Sequence, residues 1–178
     1  MRIRLLALLI ILLSSATAMS AGEKPKPAAE LGKLKFFVGK WRCKGKLYPM
    51  PGRPEGPYVA TITIKPELDG HWASVKYVER KTKKNPVPVK AIFWYSYDAK
   101  KKKYVSVYMN NWGARGHLMS SGWNGKAWVD EGTVSVGGDE KVKMRMTSTK
   151  TGKGKFKLAA EFHGKKGWFP FNTGNCRR

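Results

Sequence analysis

The chain has 178 residues, with 35 Lys and Arg against 12 Asp and Glu, which gives a formal net charge of +23 at pH 7. Hydrophobic residues make up 42% of the sequence, and Trp, Tyr and Phe occur seven times each. This apolar content is sufficient for a packed core and excludes a wholly disordered chain.

The N-terminus has the three parts of a secretory signal peptide. Two arginines stand in Met1–Arg4, an apolar run covers Leu5–Leu13, and Ala16–Ala18 has the small-x-small pattern of a cleavage site. The apolar run is too short for a transmembrane helix, which needs about 20 residues. We therefore predict a signal peptide at residues 1–18, cleaved after about Ala18, and a secreted or periplasmic protein.

The two cysteines agree with export. Cys43 and Cys176 form an even set in a chain predicted to enter an oxidising compartment, which favours a disulfide between them over two free thiols. Neither has a second Cys or a His at metal-ligand spacing. The sequence therefore predicts one disulfide and no metal site.

The remaining chain divides into a leader and one domain. Residues 19–30 are mostly small or polar and carry prolines, which predicts a flexible leader, and residues 31–178 are predicted to form a single domain. Apolar residues recur every three or four positions within Ala28–Val38. This spacing predicts a short amphipathic lead helix, ended by Gly39.

From Trp41 onward, apolar and polar residues alternate, which is typical of half-buried β-strands. Turn signals such as Leu68–Gly70 and Asn124–Gly125 separate the runs. We predict nine strands, at residues 41–48, 58–65, 72–79, 87–97, 104–109, 114–122, 127–136, 142–147 and 156–163.

Connections this short make neighbouring strands pair antiparallel, as an up-and-down meander. Closure into a barrel removes the exposed edges and gives the apolar face a lumen. The fold class predicted is therefore an all-β antiparallel up-and-down barrel of about 8–10 strands behind a short N-terminal helix. A two-sheet sandwich is the alternative.

Four segments carry a resemblance to a known family. Leu31–Trp41, Leu68–Trp72, Tyr95–Asp98 and Lys103–Val105 resemble a bacterial family of lipocalin-like domains of unknown function, and the likeness covers most of residues 31–170. The wider calycin group includes lipocalins, fatty-acid-binding proteins and nitrobindins. The resemblance implies a calycin-type barrel with one end closed by the helix and a Trp, and a lumen for a small apolar ligand.

Strand parity predicts which side chains face the lumen. In the last two predicted strands, we expect the charged side chains of Lys143, Arg145, Lys157 and Glu161 to point outward. The side chains expected to point inward are those of Val142, Met144, Met146, Phe156, Leu158, Ala160 and Phe162. A filled lumen and a ligand cavity are equally compatible with this pattern. The candidate ligand-binding residues are Trp41, Ile62, His71, Tyr77, Phe93, Tyr95, Val107, Met144, Met146 and Phe162.

The three histidines test a haem alternative. Some nitrobindin-like barrels bind haem through a His near the C-terminus, and His163 lies in that region. Its parity places it on the polar face with Lys157 and Glu161, which argues against haem. His71 falls on the inward face of its strand, with Ala73, and parity leaves the side of His117 open. No cofactor is predicted, and haem stays a minor alternative.

No catalytic motif is present in the sequence. It lacks a Gly-x-Ser-x-Gly elbow, a His-Glu-x-x-His motif and a phosphate-binding Gly-rich loop. Asp130 and Glu131 are adjacent, so on a strand they point to opposite faces and cannot act together. We therefore predict no enzymatic activity and no catalytic residues.

The predicted function is the binding of a small hydrophobic or amphipathic ligand in the barrel lumen. An anionic group on this ligand is compatible with the prediction. Lysines cluster in the turns and on the outward strand faces, as in Lys100–Lys103. Such a surface attracts anions, so the alternative is a cationic module that binds anionic envelope lipid or polysaccharide. Nucleic acid is a less natural partner for an exported protein, and these lysines are also compatible with a solvated surface.

Overall fold

The computed structural model describes residues 24–138 and 140–178. A lead helix is followed by eleven strands: β1 (Gly39–Leu47), β2 (Gly56–Glu67), β3 (Trp72–Glu79), β4 (Lys90–Asp98), β5 (Lys103–Asn110), β6 (Arg115–Ser120), β7 (Trp123–Asn124), β8 (Ala127–Ser135), β9 (Lys141–Gly152), β10 (Lys155–Gly164) and β11 (Gly167–Arg177). The predicted signal peptide lies outside the described residues. In the described part, no helix is long and apolar enough to cross a membrane.

The lead helix spans Ala29–Phe36 and is a 3₁₀ helix. Leu31, Leu34 and Phe37 follow one another every third residue, which matches the three residues per turn of this helix type and directs one face inward. Leu34 and Phe37 are buried. Gly39 has φ of 123° and begins β1, so the predicted helix is confirmed, with a tighter winding than the usual α-helix.

Ten of the strands form a closed antiparallel barrel. Each strand from β1 to β6 pairs with the next one along the chain, as do β8 to β11. The ring is completed where β1 pairs with β11 and where β6 pairs with β8. The two-residue β7 pairs with β8 only. The barrel prediction is therefore confirmed, and the sandwich alternative is wrong.

Glycines permit close approach where β6 meets β8. A Cβ atom on Gly132 would lie 2.0 Å from the carbonyl oxygen of His117, and one on Gly116 would lie 2.3 Å from that of Thr133. Only a residue without a side chain fits such gaps. These two glycines thus allow β6 and β8 to pair closely and complete the ring.

The predicted faces of β9 and β10 agree with the structure. Met144 and Phe156 are buried, whereas Lys143 and Lys157 are exposed. Phe162 is also buried, although the pairing of β10 with β11 shifts between Ala160 and Glu161. The predicted inward position of Val107 on β5 is wrong, because Tyr104, Ser106 and Tyr108 are the buried side chains of this strand and Val107 lies on its other face.

The sequence prediction omitted β7 and β11. The omission of β11 matters more, because this strand joins β10 to β1 and carries Cys176. Pro170 interrupts its alternation, cannot donate a backbone hydrogen bond, and lies at the shifted pairing opposite Glu161. Gly174 further weakens the pattern. The strand nevertheless buries Phe171 and Asn172.

Candidate functional site

The barrel encloses an apolar cavity of about 110 Å³. Every strand of the ring except β1 and β6 contributes side chains to its wall, and the lead helix contributes Leu34 and Phe37. The wall is made mainly of aliphatic and aromatic groups. Six of the predicted ligand-binding residues line it: Ile62, Tyr77, Phe93, Tyr95, Met144 and Met146.

Four predicted candidates do not line the cavity. Trp41 lies under the lead helix, where its indole Nε1 donates to the carbonyl oxygen of Phe37 at 2.7 Å. Val107 is on the outer face of β5 because its strand turns the opposite face inward. Phe162 is buried near the end of β10 and packs against Phe171, with ring centres 5.5 Å apart.

His71 is the fourth, and its predicted inward orientation is wrong. It lies in the turn before β3, so the parity of that strand does not apply to it. Its Nε2 is 3.0 Å from the carbonyl oxygen of Pro25. Its strand neighbours Ala73 and Val75 do line the cavity.

The ring nitrogens of the histidines stay away from the cavity. His117 and His163 are exposed, and the imidazole of His163 packs edge-on against Trp168. The prediction that His163 points outward is thus confirmed. Within residues 24–138 and 140–178, no group of three His, Cys, Asp or Glu side chains could hold a metal ion.

Asp130 is a cavity residue that the sequence analysis missed. It is 5% exposed and lines the wall, whereas its neighbour Glu131 is exposed, as parity predicts. Tyr95 donates its hydroxyl hydrogen to Oδ2 at 3.0 Å, and the indole Nε1 of Trp128 donates to Oδ1 at 3.2 Å. The signal was available in the alternation of β8, because Trp128 and Asp130 are two residues apart and share a face.

Burial controls the protonation of this carboxyl group. Loss of solvent raises the pKa of Asp130 to about 7, and the hydrogen bonds from Trp128 and Tyr95 only partly oppose that rise. The same burial, together with the adjacent carboxyl, raises the pKa of the Tyr95 phenol well above its ordinary value. Asp130 therefore changes charge near neutral pH within an apolar wall.

A second buried polar cluster closes the barrel end opposite the lead helix. Arg53, from the loop between β1 and β2, donates through Nη2 to both carboxyl oxygens of Glu79, at 2.6 and 2.7 Å. Tyr77, Asn85 and the backbone N–H of Val89 also donate to Glu79. This carboxylate therefore has a cation and a full set of donors.

The guanidinium of Arg53 is held by aromatic rings as well. Its carbon Cζ lies 4.4 Å from the ring centre of Phe171 and 5.6 Å from that of Trp112. The alternation of β3 could have predicted that Glu79 faces inward, because it is two residues from Tyr77 and lies on the same face of the strand. Nothing in the sequence indicates that a loop arginine enters the barrel.

Aromatic rings close the end of the barrel beneath the lead helix. Phe37 stacks on Trp123 with ring centres 5.0 Å apart, and it meets Trp128 and Phe156 edge-on. The ammonium of Lys150 lies 3.7 Å from the ring centre of Trp123. This aromatic cover separates the cavity from solvent at that end.

A row of cations follows the outer face of β1, β11 and β10. Arg42 and Lys155 are both in register with Arg177, and Lys44 and Lys157 both face Asn175 across the strands. We call these five basic residues the cationic stripe. All are exposed, and within the described parts of the chain none takes part in an ion pair.

The predicted disulfide is confirmed. Cys43 and Cys176 are directly paired across β1 and β11, with their Cα atoms 4.0 Å apart and a disulfide bond between them. Both are buried in the core. The bond therefore fastens the first and last strands of the barrel at the point where they meet.

Comparison with known proteins supports the fold. The solved structure of Rv2717c from M. tuberculosis is similar, with a TM-score of 0.65 over 86% of this chain and 99% of that chain. The two sequences are 9% identical, so the likeness concerns the fold alone. No curated protein matches the sequence. The resemblance to lipocalins and nitrobindins stays a prediction.

A family model matches most of the chain. It is described as a protein of unknown function, DUF1579, and it covers residues 26–178, which is nearly all of the part that the structure describes. The chain therefore belongs to the DUF1579 family.

Proposed function

We propose that this protein is an exported, non-enzymatic binding protein that holds a small apolar or amphipathic molecule in its barrel lumen. The observation that carries the proposal is the apolar cavity of about 110 Å³ within the closed ring of strands. Export is supported by the signal-peptide pattern of residues 1–18 and by the buried disulfide.

The volume of the cavity limits the size of the ligand. A cavity of roughly 150 Å³ accepts benzene, whereas drug-sized ligands occupy pockets of roughly 300–1,000 Å³. The present cavity, at about 110 Å³, thus suits a single small ring better than a long acyl chain or a haem. The position of the histidines outside the cavity further supports a ligand other than haem.

Uptake of 4-fluorotoluene, followed by ¹⁹F NMR, tests the proposal. We expect saturable binding by the wild-type protein and loss of binding in Met144→Trp, because Met144 lines the cavity and the larger side chain fills it. Lys143→Glu on the adjacent outward position is the matched control and should bind normally. Ala91→Leu, which also fills the cavity, provides a second test if the Trp variant does not fold.

The cationic stripe supports a second candidate function, binding of anionic envelope lipid or polysaccharide. Like charges directly opposite each other destabilise a sheet, so Arg42, Arg177 and Lys155 in one row favour an anion that bridges them. Binding through this surface would weaken steeply with salt. Two results together would replace the first candidate with this one. The first is that 4-fluorotoluene fails to bind. The second is that the wild-type protein binds vesicles of anionic lipid, and that this binding is lost on adding salt and weakened in Arg42→Glu.

A further inference from the structure

Asp130 is a buried acid without a cation. The chain has 35 basic residues and only 12 acidic ones, yet the groups that contact this carboxyl are the neutral hydroxyl of Tyr95 and the neutral indole of Trp128. Among the residues that the structure describes, the second buried acid is Glu79, which is paired with Arg53. A structural role alone would be served better by an apolar residue or by a pair such as Arg53 and Glu79.

The carboxyl group also has unused hydrogen-bonding capacity. A carboxylate accepts about four hydrogen bonds, and Asp130 receives two from side chains, one on each oxygen. Asp130 forms part of the cavity wall. A molecule in the cavity that carries an O–H or N–H group is therefore in a position to donate to it.

From this arrangement we infer that the cavity selects neutral single-ring molecules that carry one hydrogen-bond donor, such as a phenol, and that Asp130 binds the donor. The inference rests on the proposed lumen function. A cationic ligand would be repelled by the net charge of +23 on the chain. An anionic group beside Asp130 would meet a like charge in an apolar wall, so the ligand is neutral rather than anionic.

A pair of matched probes tests the inference. p-Cresol and 4-fluorotoluene have nearly the same shape, but only p-cresol has a donor. At pH 8, above the pKa of about 7 at which Asp130 changes charge, we expect the full-length wild-type protein to bind p-cresol about tenfold more tightly than 4-fluorotoluene, in line with a hydrogen bond to a charged acceptor. Calorimetry or ¹⁹F NMR competition gives both dissociation constants.

Two variants assign the preference to one residue. In Asp130→Leu, p-cresol should lose its advantage while 4-fluorotoluene still binds. Glu131→Leu is the matched control, because Glu131 is the next residue on β8 and is exposed outside the cavity, so the tenfold preference should be unchanged. Should Asp130→Leu fail to fold, Asp130→Asn provides the second test: the preference for p-cresol should fall, because a neutral amide oxygen accepts a weaker hydrogen bond than a carboxylate.

The outcomes separate this inference from the function on which it rests. Equal binding of both probes by the wild-type protein, or a preference that persists in folded Asp130→Leu, overturns the role of Asp130 and leaves the lumen function standing. Failure of both probes to bind overturns the lumen function and the inference together.

Discussion

The carboxyl group of Asp130 makes the stability of the protein depend on pH. Its pKa is about 7 in the folded state against an ordinary value of 3.8, because burial disfavours the charged form. At a pH between these two pKa values, the Asp130 carboxyl has lost its proton in the unfolded chain but still carries it in the folded chain. Raising the pH across this interval therefore favours the unfolded state, and the effect is complete above pH 7.

We expect Asp130→Asn to remove this pH dependence. Measured by urea denaturation, the stability of the variant relative to wild type should rise by about 3 kcal/mol between pH 4.5 and pH 8, as the shift in pKa from 3.8 to about 7 requires. Glu131→Gln is the control, since Glu131 is the exposed neighbour on the same strand. A constant difference between Asp130→Asn and wild type across this range would contradict the buried, protonated carboxyl.

Sequence reasoning at the residue level succeeded where a strand has one polar and one apolar face. Met144 and Phe156 were placed inside in this way. It failed on β5, because Val107 on one face and Tyr108 on the other are both compatible with an interior position. It also passed over Asp130, because a carboxyl group is not expected on a lumen face, although the opposite orientation of Glu131 was predicted.

At the scale of elements, the meeting of β6 and β8 depends on backbone contact. Gly132 and Gly116 leave no room for a Cβ atom between these strands. Nine of the eleven strands and the meander followed from turn signals and alternation, so most of the barrel was predictable. The pairing of β1 with β11 was not, because Pro170 and the shifted register in β11 hide its alternation.

Gly132→Ala tests the close approach of β6 and β8. The added Cβ atom would lie 2.0 Å from a backbone oxygen, so a strand must move, and we expect a loss of about 2 kcal/mol or more in unfolding free energy. Gly32→Ala is the control, because no atom lies within 4 Å of the Cβ position in the lead helix. Equal stability of the two variants would show that β6 and β8 are not in such close contact.

At the scale of the whole molecule, the first and last strands of the barrel pair with each other and are joined by one covalent bond. The disulfide joins positions separated by 133 residues, so it removes a large loop-closure entropy from the unfolded chain. Because both cysteines are buried, their sulfur atoms are also protected from exchange with external thiols in the folded protein.

Removal of the disulfide should therefore destabilise the entire barrel. For Cys43→Ala with Cys176→Ala, we expect a loss of about 5 kcal/mol in unfolding free energy, from the entropy of a loop of 133 residues. Chemical denaturation of the double variant measures it, and wild type denatured in the presence of a reductant should give the same value. An unchanged denaturation midpoint would contradict this role of the bond.

The bond between Cys43 and Cys176 also makes most of the polypeptide a covalent circle. Any single peptide cleavage between these positions opens the circle without dividing the molecule. Lys101, in the exposed turn between β4 and β5, is an example: a cut there leaves one cysteine on each piece, and both pieces still contribute strands to the ring. A single proteolytic cut there thus produces a nicked protein of undiminished mass, which separates into two fragments only after reduction and unfolding.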